Sequence, residues 1–297
     1  GGGGGGGAGG GGGSAMAGVL GGLSGELDWV VVLGDRVEAL AGAAAAAVGG
    51  VRVAHLHGGD RAEGVADESM RHAISKLAHV HLAATEASAA RLVRMGEAEA
   101  AVVVVGSPAM DGLAGVAAEA GGPEVVVMQH PIGAGDDEER AWMAGTLAAA
   151  GEVGAARGWR VVAMSPNGDP GRAGVAAAID AAGVERVDHL GREAWLSRLK
   201  GAQVLVGNSS AGLIEAAALG TAVVNVGPRQ GGREWAGRLV DCDYGAAAVG
   251  AAIERALALP AEAGGHPYGD GRTGVRVAEL LATADVSVWP VRKRNTY

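Results

Sequence analysis

Two α/β domains built on parallel sheets are the fold this sequence predicts, and three observations carry the reading. Short apolar runs alternate with helix-compatible segments from Trp29 to Ala258, the rhythm of βαβ units. The runs are continuously apolar instead of alternating, as strands buried on both faces require. A Gly121-Gly122-Pro123 break then divides the rhythm into two halves. A chain of 297 residues is long enough for both.

Along the chain, 12 of the first thirteen residues are Gly, which reads as linker or placeholder for residues 1–13 and not as a folded element. Trp29–Leu33 is a strand ending in Gly34-Asp35, Arg36–Val48 an alanine-rich helix and Val51–His55 a strand. Glu68–Ala78 spaces Met70, Ile74 and Leu77 at helical intervals, with Asp67 placed to cap it. Val80–Ala84 (strand), Glu86–Met95 (helix) and Ala101–Val105 (strand) complete a first domain over 14–120. The second, 121–280, runs strand Val125–Met128, helix Asp137–Ala150, strand Arg160–Met164 and helix Gly171–Ala182. Short strand Arg186–Asp188, helix Arg192–Lys200, strand Val204–Val206, helix Ala211–Leu219, strand Ala222–Val226 and a closing helix Gly245–Ala258 follow. Ligands of parallel sheets sit beyond the strand C-termini, so a ligand cleft is expected between two such domains.

Bulk properties narrow the function. A net charge of −9 argues against a nucleic-acid or acidic-membrane partner, because polyphosphate surfaces need a basic face. Cys242 is the only cysteine, so no intrachain disulfide can form. With no long apolar run and no signal-peptide pattern, the expected location is cytoplasmic. No Cys/His cluster has metal-ligand spacing, so no metal and no cofactor are expected.

The sharpest local signal is the segment from Val204 to Glu215. A strand ends at Gly207, Asn208, Ser209, Ser210 and Ala211 follow, and a helix begins near Ser210. A helix N-terminus offers free N–H groups and a partial positive charge to an anion. Gly207 and Gly212 permit close approach of a phosphate, the hydroxyls add donors, and Glu215 is placed to accept from ribose hydroxyls. The same spacing equally fits a serine that only caps a helix. Downstream, Arg229, Gln230 and Arg233 lie in a glycine-rich loop able to clamp a diphosphate or to be a solvated turn. In the first half, Asp35 follows a strand, His57 and Asp60 share a Gly-Gly turn, and Asp67 and Arg71 open a helix. Carboxylates converging at strand ends raise one another's pKa, which suits a general base. His130 ends the first strand of the second half, facing the expected cleft.

Together these segments resemble the hydrolysing UDP-N-acetylglucosamine 2-epimerase family, whose members feed N-acetylmannosamine into sialic-acid-type pathways. The matching text is Leu33-Gly-Asp-Arg36, His55-Leu-His-Gly-Gly-Asp60, the helix Asp67–His79, Val105-Gly-Ser-Pro108, Gln129-His-Pro131 and Ser165-Pro-Asn167. Gly207-Asn-Ser-Ser-Ala-Gly212, Gly227–Glu234 and Pro267-Tyr-Gly-Asp-Gly271 follow in the same order and spacing. The resemblance implies the GT-B architecture, two Rossmann-like domains with a UDP-sugar between them, and a tail, 281–297, returning to the first domain. It implies a homo-oligomer, dimer or tetramer. It also implies elimination of UDP to give 2-acetamidoglucal, then addition of water. On that basis Asp35 and Asp67 are the acid–base carboxylates, with either one as base. His130 and Arg71 lie by sugar and diphosphate, Ser209 and Ser210 hold the diphosphate, Glu215 holds the ribose, and Arg229, Gln230 and Arg233 close over the nucleotide.

Two departures shape the expectation. His57 stands where N-acetylmannosamine-forming members carry Glu, which resembles relatives acting on bacillosamine-type or GDP-linked sugars. The family's opening strand and Gly-Thr-Arg loop have no match before Ser14, so the first sheet is expected to lack its initial strands. A non-catalytic nucleotide-sugar-binding module and a GT-B glycosyltransferase are the competing readings.

Overall fold

The computed structural model describes residues 18, 22, 25–62, 67–119, 121–260 and 265–294. The glycine stretch 1–13 lies outside them, as does the end of the tail, 295–297. Contacts divide the described residues into two compact units. Unit 1 comprises 25–60, 67–108 and 272–294, and unit 2 comprises 61–62, 109–119, 121–260 and 265–271.

Unit 1 is a four-stranded parallel sheet in the order β1-β2-β3-β4, with β1 Trp29–Leu33, β2 Arg52–Leu56, β3 Val80–Ala83 and β4 Val102–Val104. Helices α1 (Val37–Gly49), α2 (Asp67–Leu77) and α3 (Glu86–Arg94) make the crossovers. One face of the sheet buries Val32 and Val53 against Ala43 and Ala46 of α1 and Ile74 of α2. The other buries Ala54, Leu56 and Leu82 against Val277, Leu280 and Leu281 of the helix Thr273–Thr283. The central strands β2 and β3 are thus covered on both sides, as their composition requires, whereas the edge strand β1 leaves Val31 and Leu33 about half exposed.

Unit 2 is a six-stranded parallel sheet in the order β10-β9-β8-β5-β6-β7. Its strands are β5 Glu124–Met128, β6 Arg160–Met164, β7 Glu185–Val187, β8 Val204–Gly207, β9 Ala222–Val226 and β10 Leu239–Cys242. Helices α4 (Asp136–Arg157), α5 (Arg172–Ala182) and α7 (Ala246–Ala258) cover the face that presents Val125, Val127, Val206 and Val224. Helix α6 (Arg192–Gly201) lies between β7 and β8 in the chain. Strand order reverses at β5, which pairs with β6 on one side and β8 on the other. Chains leaving β5 and β8 therefore diverge to opposite directions and open a crevice at their C-terminal ends, the usual ligand position in doubly wound sheets.

Several elements differ from expectation for physical reasons. The change of unit falls after Pro108, ahead of the Gly121-Gly122-Pro123 punctuation. Residues 109–119 are tied to α6, since Arg192 Nη2 donates to Ala109 O and Asp111 O (2.8 and 2.9 Å) and Lys200 Nζ to Val116 O (2.6 Å). The chain rejoins unit 1 at Arg272, because the apolar stripe of helix Thr273–Thr283 docks on that sheet. β10 was not expected: it is an edge strand of which only Leu239 is buried, so its sequence carries little strand signal. The helix after Ser210 takes a wide π turn at Gly212–Ala216, a local widening found often at functional sites.

Candidate functional site

In unit 2, Gly207 ends β8 at φ +144°, and a Cβ there would sit 2.1 Å from Met128 O. Only glycine fits so close to a neighbouring carbonyl. The turn after it is clamped to the end of β5 by Asn208, which is fully buried. Its Oδ1 accepts from His130 N (2.7 Å) and its Nδ2 donates to His130 O (2.8 Å), so one side-chain amide pairs with both polar groups of one backbone residue. The Asn208 carbonyl accepts from Arg229 Nη1 (3.2 Å) and Gln230 Nε2 (2.8 Å). Five of the predicted residues, His130, Asn208, Ser209, Arg229 and Gln230, therefore meet in one assembly at the switch point. Ser209 is nearly buried, with Oγ 3.3 Å from Ala211 N, which is local turn bonding. Ser210 opens the helix and Gly212 packs closely, with a Cβ there 3.0 Å from Val223. Glu215 lies within the π turn.

The loop beyond β5 is held from several sides. His130 Nδ1 accepts from Asn167 N (3.2 Å), Gln129 Oε1 accepts from Thr146 Oγ1 (2.7 Å), and buried Glu139 accepts from Ile132 N and Ala134 N (2.7 and 3.2 Å). Tyr244 stacks on Trp142 with ring centroids 4.2 Å apart, and burial pushes its phenol up to about 12. Gly227 at φ +73° packs onto that ring, starting the Arg229–Arg233 loop. In the same loop, Arg233 Nε donates to Arg61 O at 2.7 Å.

In unit 1, Asp35 forms an ion pair with Arg71, whose side chain is 1% exposed. Arg71 Nη1 also donates to Asp60 O (2.9 Å). One turn earlier on α2, Asp67 pairs with Arg36 at 3.5 Å. The end of β1 and the start of α2 thus exchange two ion pairs. The expected mutual carboxylate repulsion is not the arrangement found, because each carboxylate faces a guanidinium of the opposite element. What results is two carboxylates held in fixed positions on one side of the sheet.

His57 is in the left-handed region (φ 61°), unusual for a residue with a side chain. Its Nδ1 lies 2.8 Å from Asp60 Oδ2 and its Nε2 2.9 Å from Ser107 Oγ, so both ring nitrogens are engaged. Asp60 Oδ1 accepts from Ser88 Oγ (2.8 Å). Ser107, Ser88 and Ser75 are not among the residues that the sequence singles out for chemistry. The Gly58-Gly59 turn was the available signal: a Cβ on Gly59 would lie 2.2 Å from Ser88 O, marking a crowded and specified loop. Asp35, Asp67 and Arg71 come together in this unit, while His57 joins the neighbouring Asp60 cluster. No helix among the described residues is long and apolar enough to cross a membrane.

Comparison with known proteins follows the same lines. The family model described as UDP-N-acetylglucosamine 2-epimerase matches residues 22–282. A Legionella pneumophila protein described as UDP-N,N'-diacetylbacillosamine 2-epimerase (hydrolyzing) is 36% identical over 286 residues, covering 91% of this chain and 74% of the relative. A Neisseria meningitidis UDP-N-acetylglucosamine 2-epimerase is 33% identical over 292 residues, covering 92% and 75%. In fold, the chain is similar to the crystal structure of Methanocaldococcus jannaschii UDP-GlcNAc 2-epimerase in complex with UDP-GlcNAc and UDP. The TM-score is 0.73 at 19% identity, over 94% of this chain and 83% of that one, which identifies the GT-B class of paired Rossmann-like units.

Proposed function

We propose, for a chain that belongs to the UDP-N-acetylglucosamine 2-epimerase family, hydrolysis with inversion at C2 of a UDP-activated 2-acetamido sugar. The observation that carries this reading is the pair of carboxylates Asp35 and Asp67, each held by its own arginine where β1 meets α2. Inversion at C2 needs one group to remove the proton and another to return one from the opposite face. In the elimination step a carboxylate takes the C2 proton, the C1–O bond breaks and UDP departs, leaving a 2-acetamidoglucal. Water then supplies the hydroxyl at C1 while the second group, as its carboxylic acid, delivers a proton to C2. The proton water loses restores that acid, and the first carboxyl returns its proton to solvent. N-acetylmannosamine and UDP are the products when the substrate is UDP-N-acetylglucosamine.

For the nucleotide, the Gly207–Gly212 turn supplies what a departing diphosphate needs: a helix N-terminus, the Ser209 and Ser210 hydroxyls, and a close backbone. Arg229, fastened to the Asn208 carbonyl, brings positive charge to the same turn. Glu215 takes the ribose, and Gln230 and Arg233 complete the nucleotide contacts. His130, with its backbone fixed by Asn208, faces the sugar and diphosphate, whereas Arg71, expected beside them, has a side chain only 1% exposed and acts through the Asp35 carboxylate it pairs with.

A second reading, a UDP-2,4-diacetamido (bacillosamine-type) sugar as substrate, is favoured by His57 and by the Legionella relative. Incubating the protein with each sugar nucleotide and following UDP and free sugar tests both. Release of UDP with a free 2-epimeric sugar from either substrate establishes the reaction and names its sugar. Binding of UDP without turnover of either leaves a nucleotide-sugar-binding module and ends the enzymatic reading.

A further inference from the structure

The end of β1 is tied to α2 a second time, deeper than the Asp35–Arg71 pair. Gly34, which precedes Asp35, has both backbone groups engaged: its N–H donates to Leu56 O at 3.0 Å and its carbonyl lies 2.8 Å from His55 Nε2. A carbonyl only accepts, so His55 carries its proton on Nε2 and presents Nδ1 as an acceptor. Ser75 Oγ lies 3.2 Å from that Nδ1 and 3.1 Å from Arg71 O, and its single proton serves these two acceptors. Ser75 is on α2, one turn after Arg71. His55 and Ser75 are both completely buried, so neither can touch a substrate.

Three further features specify this contact. A Cβ on Gly58 would lie 3.0 Å from His55 Nδ1 and 3.2 Å from Ser75 Oγ, so the turn bearing His57 closes over the pair. Burial holds the His55 imidazole down at about 4, so it stays neutral and the chain of donors keeps one direction. Behind α2, Lys293 Nζ donates to Ser75 O at 3.0 Å and pairs with buried Glu97 at 2.5 Å, which pins the helix end that Ser75 occupies.

We propose that Ser75–His55–Gly34 is a positioning chain for Asp35. It sets the spacing between the end of β1 and α2 at which the Asp35 carboxylate meets Arg71. Ser75 and His55 act through Asp35 and not on the sugar. The inference rests on Asp35 being a proton-transfer group, and misplacement of such a group by a fraction of an ångström costs rate more than binding.

The test uses the full chain. Ser75→Ala deletes one oxygen and is expected to lower kcat by about tenfold with KM within about twofold. In an Asp35→Glu background, where the carboxylate is already displaced, Ser75→Ala is expected to cost nothing further. Independently of turnover, the guanidinium proton resonances of Arg71 should shift or broaden in Ser75→Ala, and the His55 ring nitrogens should report an Nε2–H tautomer. Losses that multiply between Ser75→Ala and Asp35→Glu, unmoved Arg71 resonances, or a proton on Nδ1 each overturn the positioning chain. Full turnover in Asp35→Asn overturns the functional reading instead, and leaves the Arg71 resonances as the measure of the chain itself.

Discussion

The Gly207–Gly212 turn of unit 2 is assembled from backbone groups, side-chain amides and glycines, whereas the Asp35–Asp67 region of unit 1 is assembled from charges. In unit 2 the decisive contacts are Asn208 on the His130 backbone and Gln230 on the Asn208 carbonyl, neutral hydrogen bonds in a buried place. In unit 1 they are Arg71 on Asp35 and Arg36 on Asp67, beside a buried histidine and an Asp60–His57 pair. A mould held mainly by neutral hydrogen bonds, with Arg229 on the same Asn208 carbonyl, is more sensitive to changes of volume than to changes of charge. An ionic frame has the opposite sensitivities. That division suits the proposed use of one region for the nucleotide and the other for proton transfer.

The largest expected effect breaks the ionic side. Asp35→Asn and Asp67→Asn should each lower turnover on the order of 10²-fold or more while leaving UDP affinity within about threefold. Their stability costs should differ. Asp35→Asn removes a carboxylate paired with the buried Arg71 guanidinium and should cost about 3 kcal/mol. Asp67 pairs with an arginine whose side chain is 45% exposed, and its loss should cost less than about 1 kcal/mol. Equal unfolding midpoints for the two variants would contradict the geometry.

Next comes volume on the neutral side. Gly207→Ala forces a Cβ against Met128 O at a backbone angle hostile to side chains, and should cost about 3 kcal/mol and abolish thermal protection by UDP. An Ala variant that UDP protects as well as the wild type would remove the turn from the nucleotide site. Ser210→Leu, which leaves the fold in place, should weaken UDP binding alone, by about 2 kcal/mol for a lost charge-assisted hydrogen bond.

A third prediction uses pH. Burial lowers His55 from 6.5 to about 4, so the unfolded chain takes up that proton first. Stability is full above the unfolded value, falls as pH drops through 6.5, and levels off below 4. The His55 share of the loss is about 2 kcal/mol between about pH 7 and pH 5. His79 and His81 in the same unit are lowered in the same sense by burial, and His266 in unit 2 likewise. Glu97, held at about 2 by His81, Lys293 and Lys76 against its own burial, adds stability that is lost only at lower pH, below its ordinary 4.5. Unfolding midpoints that do not fall between pH 7 and 5 would show that His55 is not buried as a neutral group.

Much of this was legible in the sequence, and the parts that were not share a cause. Continuous apolar runs such as Val204–Val206 announce buried parallel strands because nothing else keeps such a run soluble. Gly207 and Gly212 around Asn-Ser-Ser mark a tight approach. Local signals of this kind depend on neighbours in sequence. The arginine partners of Asp35 and Asp67 depend on register between β1 and α2, elements separated by all of α1 and β2, so spacing alone pointed to carboxylates meeting carboxylates. β10 is a four-residue edge strand interrupted by Asp241, visible only through its pairing with β9. Loop position groups Arg233 with Arg229, but it does not tell which backbone carbonyls hold them, Arg61 O and Asn208 O respectively. Cys242 reads as a simple packing residue, its thiol pushed up by burial to about 11.

The smallest expected effect concerns His57, whose two possible roles the structure makes separable. Its ring bridges Asp60 and Ser107 at 2.8 and 2.9 Å, and its backbone is left-handed, so it has a defined job in the turn. A selector of sugar substituents must also change which substrate is preferred, since a site built around hydrogen bonds discriminates against a ligand that leaves them unpaired. His57→Glu sets a carboxylate beside the Asp60 carboxylate and should destabilise the protein by about 1–2 kcal/mol through like-charge repulsion in a nearly buried turn. His57→Asn keeps a polar residue tolerant of the left-handed conformation and should cost less than about 1 kcal/mol. If His57 selects the sugar, both variants shift the ratio of kcat/KM for UDP-N-acetylglucosamine over a 2,4-diacetamido sugar nucleotide by more than about threefold, in the direction of the former for Glu. A ratio that stays within threefold while the Glu variant loses stability assigns His57 to the turn alone. The sugar preference would then be set by residues outside the His57–Asp60 cluster.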